Sequence, residues 1–276
     1  MKNKVILMIS GIALLAAAVL TGALLSVRAD RAAEAEPVEI VMAEPVVRPE
    51  PTEEIVLIDS DNPGEPVVKT IYLTFDDGPY KYTEKLLNIL DAAGVKATFF
   101  VTGQNPEYLD LIAREHEAGH TVGIHTYSHV YKQIYAGEDA FWTDFDRMQE
   151  VIMEQTGQTA RLYRFPGGSD NTVSESYSSG IVKRLIPQLE EKGIIYHDWN
   201  LSSGDSDGID TAEGILNHVT THLPEMEETE IIILQHDIYD YSVDAAERII
   251  EWGLANGYRF AALDESVEPF HCELNE

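Results

Sequence analysis

The stretch Ile71-Tyr72-Leu73-Thr74-Phe75-Asp76-Asp77-Gly78-Pro79 joins a short apolar run to two adjacent carboxylates and a turn. Residues 71–75 have the composition of a buried strand, and Gly78-Pro79 turns the chain sharply beyond it. Two adjacent carboxylates at a strand end cannot both point into the core, because leaving both buried and unpaired would be costly. One of them can bind a metal ion while its neighbour serves as a base; the alternative is a solvated turn.

The same strand-then-helix pattern recurs through the rest of the chain. Apolar, β-rich runs that alternate with stretches of helical periodicity lie at 97–101, 121–124, 161–165, 194–199, 230–235 and 258–262. This alternation indicates parallel strands with the helices outside them. We therefore predict an α/β barrel with about seven parallel strands, complete or incomplete. An open doubly wound sheet is the structural alternative.

The N-terminal part differs in composition from this domain. A basic tetrapeptide is followed by an uncharged run from Val5 to Val27, which reaches the roughly 20 residues needed to cross a bilayer. We predict that residues 1–28 form a transmembrane helix that anchors the chain, with the rest of the chain outside the cytoplasm. The alternative is a secretion signal cleaved near Ala29. Residues 29–68, rich in Glu and Pro, are predicted to be a linker, and residues 69–276 the globular domain.

Net charge and cysteine count exclude several classes of protein. The formal charge of -29 makes nucleic acid a poor partner, because such a chain repels phosphate polymers. A single cysteine, Cys272, excludes an internal disulfide and a cysteine-based zinc site. No feature of the sequence indicates an obligate protein partner.

A pair of histidines follows the predicted strand 121–124, at the strand end where parallel α/β folds place their working residues. His125 and His129 can converge on one metal ion if the residues between them form a helical turn. Spacing alone decides little, because two other pairs share it. By their position on helices or turns we interpret these as structural or surface histidines: His116/His120 and His218/His222.

Three more predicted strands end in polar segments. Arg164 begins one with two glycines, where an arginine can orient a carboxylate and the backbone can approach a ligand closely. Asp205 follows the strand 194–199, and His236 follows the strand 230–235, where it could act as a general acid held by a carboxylate. Taken singly, each is explained as well by a salt bridge, a plain turn or a structural histidine. Five polar segments at five strand ends are much harder to attribute to chance.

In this order the five segments resemble the polysaccharide deacetylases of carbohydrate esterase family four, over residues 68–264. The most specific signal is Thr74-Phe75-Asp76-Asp77-Gly78-Pro79. Arg164-Phe165-Pro166-Gly167-Gly168 looks like the family's Arg-x-Pro-x-Gly segment, and Leu234-Gln235-His236 like its final Leu-x-His. The resemblance implies a distorted (β/α) barrel and a divalent metal, most often Zn²⁺ and sometimes Co²⁺ or another ion. It also implies hydrolysis of N-acetyl groups on an N-acetylated polysaccharide.

The resemblance assigns a role to each of ten residues. The metal ligands would be Asp77, His125 and His129. The catalytic residues would be the base Asp76, the Arg164 that holds it, the acid His236, and the Asp205 that tunes the imidazole. The substrate and oxyanion contacts would be the Gly167 N–H, Leu234 and Trp199, although Trp199 is explained as well by core packing.

Two positions depart from the family pattern. Gly167 stands where the family often has an aromatic residue, and Ser206 follows Asp205 where the family commonly has Asp-Trp. These departures concern the wall that binds the sugar rather than the metal.

Peptidoglycan N-acetylglucosamine is the expected substrate, and N-acetylmuramic acid, chitin-like oligomers and exopolysaccharides are alternatives. One rival function is a non-catalytic cell-wall glycan-binding protein, against which the intact set from Asp76 to His236 argues. A glycosidase is disfavoured because adjacent Asp76 and Asp77 are poor flanking partners for a glycosidic bond. A small-molecule amide hydrolase is disfavoured by the predicted anchor and linker.

Overall fold

The computed structural model describes residues 68–274. The predicted transmembrane helix at 1–28 and the predicted linker up to residue 67 lie outside this range. Within the range, no helix is both long enough and apolar enough to cross a bilayer.

One parallel sheet organises the described residues. Its strands are β1 (Thr70–Asp76), β2 (Thr98–Val101), β3 (Thr121–Ile124), β4 (Leu162–Tyr163), β5 (Ile195–Tyr196), β6 (Leu201–Ser202), β7 (Glu230–His236) and β8 (Arg259–Phe260). The α-helices are α1 (Thr83–Ala93), α2 (Leu111–Glu117), α3 (Tyr131–Ile134), α4 (Glu138–Thr156), α5 (Ile181–Glu191), α6 (Ala212–His222) and α7 (Asp240–Ala255). Short 3₁₀ turns lie at Pro106–Tyr108, Ser174–Ser176 and Leu223–Glu225. The predicted alternation of parallel strands and helices is confirmed.

The strand order is β5-β4-β3-β2-β1-β7-β6, with β8 beside the start of β1. Strands that are neighbours in space are neighbours in the chain, and β7 returns to pair with β1, which is the order of a barrel rather than of a doubly wound sheet. The two ends of the sheet, β5 and β6, are separated by residues 197–200 alone. On one side His197 N donates to Tyr163 O, and on the other Asn200 N donates to Ile232 O. This segment therefore bridges the gap of an incomplete, distorted barrel.

Each of the predicted strands is present, but three are reduced to two residues, far shorter than the sequence pattern indicates. β4, β5 and β8 have two residues each, so the predicted strand 194–199 already ends at Tyr196. β6 was not predicted. It contributes only Leu201 and Ser202, and so short a run carries no readable alternation.

Alternation along β1 divides the core into two layers. Ile71, Leu73 and Phe75 pack in the larger cluster together with apolar residues of the helices, whereas Tyr72 belongs to a smaller cluster with residues from β2, β4 and β7. Successive strand residues point to opposite faces, so Asp76 shares the inner side with Tyr72. The pleat of β1 thus aims the first carboxylate of the Asp-Asp pair into the mouth of the barrel.

Gly123 of β3 packs where the barrel interior has no room for a side chain. A Cβ at this position would lie 2.7 Å from the Phe100 ring and 3.1 Å from the Leu162 carbonyl oxygen. We expect Gly123→Ala to lower the free energy of unfolding by about 1–3 kcal/mol through overpacking, measured by urea denaturation.

The matched control is Gly137→Ala before α4, because a Cβ there meets nothing within 4 Å and the backbone is extended. Its effect should stay below about 1 kcal/mol. Equal stability of the two variants would contradict the packed interior.

Candidate active site

Asp77, His125 and His129 come together beyond the carboxyl ends of β1 and β3. One ligand atom from each lies within 4.8 Å of the others, and residues 68–274 contain no other such group of acidic, histidine or cysteine side chains. The Nε2 atoms of His129 and His125 lie 3.2 Å and 3.5 Å from Asp77 Oδ1. The structure therefore brings the three predicted metal ligands to one point.

The ring of His125 is oriented by the backbone of the neighbouring strand. Its Nδ1 lies 2.9 Å from the carbonyl oxygen of Arg164, so this nitrogen carries the proton and Nε2 keeps a free lone pair. Burial, reinforced by the charge of His129, lowers the pKa of His125 to about 3. The imidazole is therefore neutral at physiological pH, which is the form that binds metals.

The surroundings of Asp77 Oδ1 show whether these residues suit a cation. This oxygen is buried, and no hydrogen-bond partner for it lies among the described residues. A buried carboxylate oxygen without a donor is costly, and two imidazole nitrogens face it. One carboxylate and two imidazoles are a typical donor set for a divalent ion such as zinc. The side chains fit the implied metal.

The two histidines converge through a loop. From the sequence, their convergence depended on a helical turn between them. Thr126 and His129 have positive φ values of 94° and 49°, and the segment between β3 and α3 is not helical. The loop is held from within and from α4: His129 N donates to Thr126 Oγ1, and Tyr127 N donates to Asp144 Oδ1 at 2.6 Å. Asp77 also has a positive φ, 74°.

Asp76 is buried beside this group and paired with Arg164. Arg164 Nη1 lies 2.9 Å from Asp76 Oδ1 and is also hydrogen-bonded to Thr74 Oγ1 at 2.6 Å. The other carboxylate oxygen, Oδ2, lies 3.7 Å from His125 Nε2. Burial raises the pKa of Asp76, and the charge of Arg164 opposes that rise. The arginine therefore holds one oxygen and leaves the other facing the metal ligands.

His236 and Asp205 form a second pair next to the first. His236 lies opposite Asp76 in the register of β7 and β1, and its Nδ1 is 2.9 Å from Asp205 Oδ1. Burial alone would lower the pKa of His236, but the hydrogen bond and charge of Asp205 outweigh it and raise the pKa to about 9. Asp205 Oδ2 accepts further hydrogen bonds from His236 N and the Ser242 hydroxyl. His236 is therefore protonated at neutral pH.

The three residues assigned to substrate contacts differ in their surroundings. Gly167 has a φ of 77°, and the Tyr131 hydroxyl lies 2.7 Å from the place a Cβ would take. Leu234 is buried in β7, where its carbonyl accepts the Ser203 N–H. Trp199 is half-buried, packs against the inner cluster and lies 5.6 Å from the Arg164 guanidinium.

Asp198 is a site residue that the sequence reasoning missed. Its buried carboxylate accepts hydrogen bonds from the backbone and hydroxyl of Ser169 and from Cys272 N. It thereby fastens the glycine-rich segment after β4 to the C-terminal part of the chain. Asp198 was hidden because the predicted strand ran to Trp199, whereas β5 ends at Tyr196 and leaves Asp198 beyond a strand end.

Asp237 explains the glycine of the Asp-Asp-Gly-Pro turn. A Cβ at Gly78 would lie 2.3 Å from both carboxylate oxygens of Asp237. Asp237 is buried and accepts the hydroxyl of Thr83, the first residue of α1. Only a glycine lets the end of β1 pass this close to the end of β7.

Comparisons with known proteins agree with this geometry. Residues 64–181 match the sequence model of the family described as Polysaccharide deacetylase. A peptidoglycan-N-acetylglucosamine deacetylase of Bacillus cereus is 35% identical over 203 residues, 71% of this chain and 70% of that protein. Chitin deacetylase 1 of Cryptococcus neoformans is 30% identical over 67% of this chain and 41% of that protein.

A solved structure gives the same result for the fold. The catalytic domain of peptidoglycan N-acetylglucosamine deacetylase from Eubacterium rectale has a TM-score of 0.74 and 47% identity, covering 77% of this chain and 96% of that one. The chain therefore belongs to the polysaccharide deacetylases, a family of hydrolases that cleave N-acetyl amide bonds.

Proposed function

We propose that this enzyme removes N-acetyl groups from the N-acetylglucosamine residues of peptidoglycan, with the help of a divalent metal, and releases acetate. The observation that carries the proposal is the buried, unpartnered Asp77 Oδ1 with His125 and His129 around it and Asp76 alongside. Relatives named as peptidoglycan deacetylases, from Bacillus cereus and Eubacterium rectale, support the substrate.

Asp77, His125 and His129 would hold the metal. When bound there, a divalent ion such as Zn²⁺ or Co²⁺ polarises an acetyl carbonyl and lowers the pKa of water. Three protein ligands leave room for substrate and water, as catalytic zinc sites require.

Asp76 is the general base. Its Oδ2 takes a proton from the attacking water, while Arg164 on Oδ1 keeps the carboxylate in one orientation. The N–H of Gly167 donates to the carbonyl oxygen as negative charge develops on it. A donor in this role typically contributes about 3–4 kcal/mol to the transition state.

His236 is the general acid. Its Nδ1 is engaged by Asp205, so Nε2 delivers the proton to the departing sugar amine. The amine leaves as a neutral group and the acetyl carbon keeps the oxygen of the water. Asp205 acts through His236 by keeping the imidazole charged and oriented.

Chitin-like oligomers are the second candidate substrate, since a chitin deacetylase is among the relatives. Incubation of the full chain, loaded with Zn²⁺, with defined peptidoglycan fragments and with N-acetylglucosamine oligomers distinguishes the two by mass spectrometry. Loss of one acetyl group, about 42 Da, marks each turnover on either substrate. With a glycan-binding protein that has no activity, the masses of both substrates would stay unchanged.

We place the enzyme outside the cytoplasm, anchored by residues 1–28 or released after cleavage near Ala29. The uncharged run from Val5 to Val27 after a basic tetrapeptide supports this. Protease treatment of intact cells, which digests only an external domain, tests the location.

His125→Ala removes one of the three metal ligands. We expect bound zinc to fall from about one ion per chain to a small fraction of that, measured by elemental analysis after dialysis. His222→Ala, at an exposed histidine on α6, is the matched control and should keep its zinc. Unchanged zinc in His125→Ala would remove this residue from the ligand set.

Asp76→Asn keeps the size of the side chain and removes the base. We expect zinc content to stay near that of the wild type, while kcat falls by about 10²–10⁴-fold, measured as acetate release. Full activity of this variant would refute the assignment of Asp76.

Asp205→Asn removes the charge that keeps His236 protonated. Activity needs the protonated imidazole, so it declines as the pH rises through the pKa of His236, which lies at about 9. In the variant this pKa falls toward its ordinary value of about 6.5, and the alkaline limb of the kcat profile moves to lower pH.

The same shift affects stability. Because the folded-state pKa is raised, the contribution of His236 to the free energy of unfolding is full below pH 6.5 and is lost as the pH rises through about 9. Asp210→Asn, an exposed aspartate, is the control and should leave both profiles in place. An unmoved alkaline limb in Asp205→Asn would contradict the role of the pair.

A further inference from the structure

Gly167 and Ser206 bring no aromatic side chain to the two segments in which they lie. We propose that Tyr131 and Tyr239, from other segments of the chain, supply two aromatic walls of the sugar subsite. The inference rests on the proposed function and names the residues that recognise the acetylated sugar ring.

Tyr131 occupies the space that an aromatic side chain at position 167 would need. A Cβ on Gly167 would lie 2.7 Å from the Tyr131 hydroxyl oxygen. The ring of Tyr131 meets the ring of His129 edge to face, with 5.8 Å between centroids and 87° between planes. The side chain is half-buried and so retains an accessible part beside a metal ligand. A glycine at 167 and a tyrosine at 131 are thus two parts of one arrangement.

Tyr239 holds the corresponding place on the side of the general acid. Its ring lies 6.0 Å from that of His236 and is stacked on Tyr241 at 5.1 Å, with 8° between planes. Tyr241 in turn donates its hydroxyl to the carbonyl oxygen of Asp205, the residue that precedes Ser206. The stacked pair is therefore fixed to the segment that carries Asp205, on the side of the site where His236 lies. Tyr239 is also half-buried.

Both rings lie close to the reaction centre. Each ring carries a hydroxyl that can donate to sugar oxygens. A rigid apolar ring with a polar tip suits the apolar face of a pyranose with its rim of hydroxyls. Such tyrosines are frequent among the residues that dominate binding energy.

A purely structural role predicts a different outcome. If Tyr131 only supported the His129 ring, its loss would weaken zinc binding. If Tyr239 only supported His236, its loss would move the alkaline limb of the pH profile. A role in sugar recognition predicts neither change. It predicts instead a higher KM for a substrate that contains the sugar and an unchanged KM for one that does not.

The test uses Tyr131→Leu and Tyr239→Leu in the zinc-loaded full chain. The substrates are an N-acetylglucosamine tetramer and a small aryl acetate ester that carries an acetyl group and no sugar. We expect KM for the tetramer to rise about tenfold or more in each variant, which corresponds to the loss of one well-packed aromatic contact. Activity on the ester, zinc content and the alkaline limb should stay as in the wild type.

Tyr258→Leu is the matched control. Tyr258 is half-buried against Trp252 next to β8, which pairs with the start of β1 at the other end of the sheet. This variant should leave KM for both substrates unchanged. Equal losses on tetramer and ester, loss of zinc, or an unchanged KM for the tetramer in the two test variants would each overturn the proposal.

Calorimetric titration of the tetramer separates this inference from the proposed function. The titration uses the zinc-loaded Asp76→Asn chain, with and without each tyrosine substitution. Weaker binding after the substitutions, by about tenfold, supports the aromatic walls even if the wild type releases no acetate. Acetate release by the wild type together with unchanged binding in the tyrosine variants would refute the walls and leave the deacetylase intact.

Discussion

The buried guanidinium of Arg164 is the contact on which the active end of the barrel depends. It binds Thr74 and Asp76 of β1 and the carbonyl oxygens of His197 and Asp198. Those two carbonyls belong to the junction between β5 and β6, the two edge strands, which do not pair with each other. One side chain therefore joins the first strand to the gap in the barrel and orients the carboxylate of Asp76. Breaking such a buried pair typically costs about 3–5 kcal/mol, because the remaining charge is left without a partner.

The loops that carry the predicted metal ligands have backbone conformations that are unfavourable on their own. Asp77, Thr126 and His129 adopt positive φ values, and each such residue typically costs about 1–3 kcal/mol. Asp144 offsets part of this cost by accepting two backbone N–H groups of the loop. These contacts hold the three predicted ligands in one arrangement, which would reduce the ordering that binding of an ion requires.

The sequence predicted the site best where a functional side chain lies at the end of a strand that the apolar pattern reveals. Alternation of apolar runs and helices predicted the parallel barrel, and the polar segments at the ends of the predicted strands 71–75, 121–124, 161–165, 194–199 and 230–235 were predicted to form one site. Asp198 and the Tyr131–Gly167 contact escaped prediction, because both depend on where a loop lies relative to another loop. β6 escaped because a two-residue strand is stabilised by its neighbour β7 and leaves no periodic pattern. A helical turn between His125 and His129 was the condition stated for their convergence, and a loop achieves it instead, since spacing reports separation along the chain and not the φ values of the residues between.

The proposed base and the proposed acid lie side by side without neutralising each other. Asp76 and His236 are opposite residues of β1 and β7, yet each is bonded to a different partner, Arg164 or Asp205. These partners push the two groups toward opposite protonation states, which is how one site runs base and acid chemistry at a single pH. Asp77 forms no ion pair with an arginine or lysine among the described residues, and its nearest partners are the imidazoles of His125 and His129. A dication held at Asp77 would stabilise the oxyanion of the proposed reaction. The unpartnered oxygen of Asp77 is therefore the position where a cation would satisfy the buried carboxylate, the two converging histidines and the proposed reaction together.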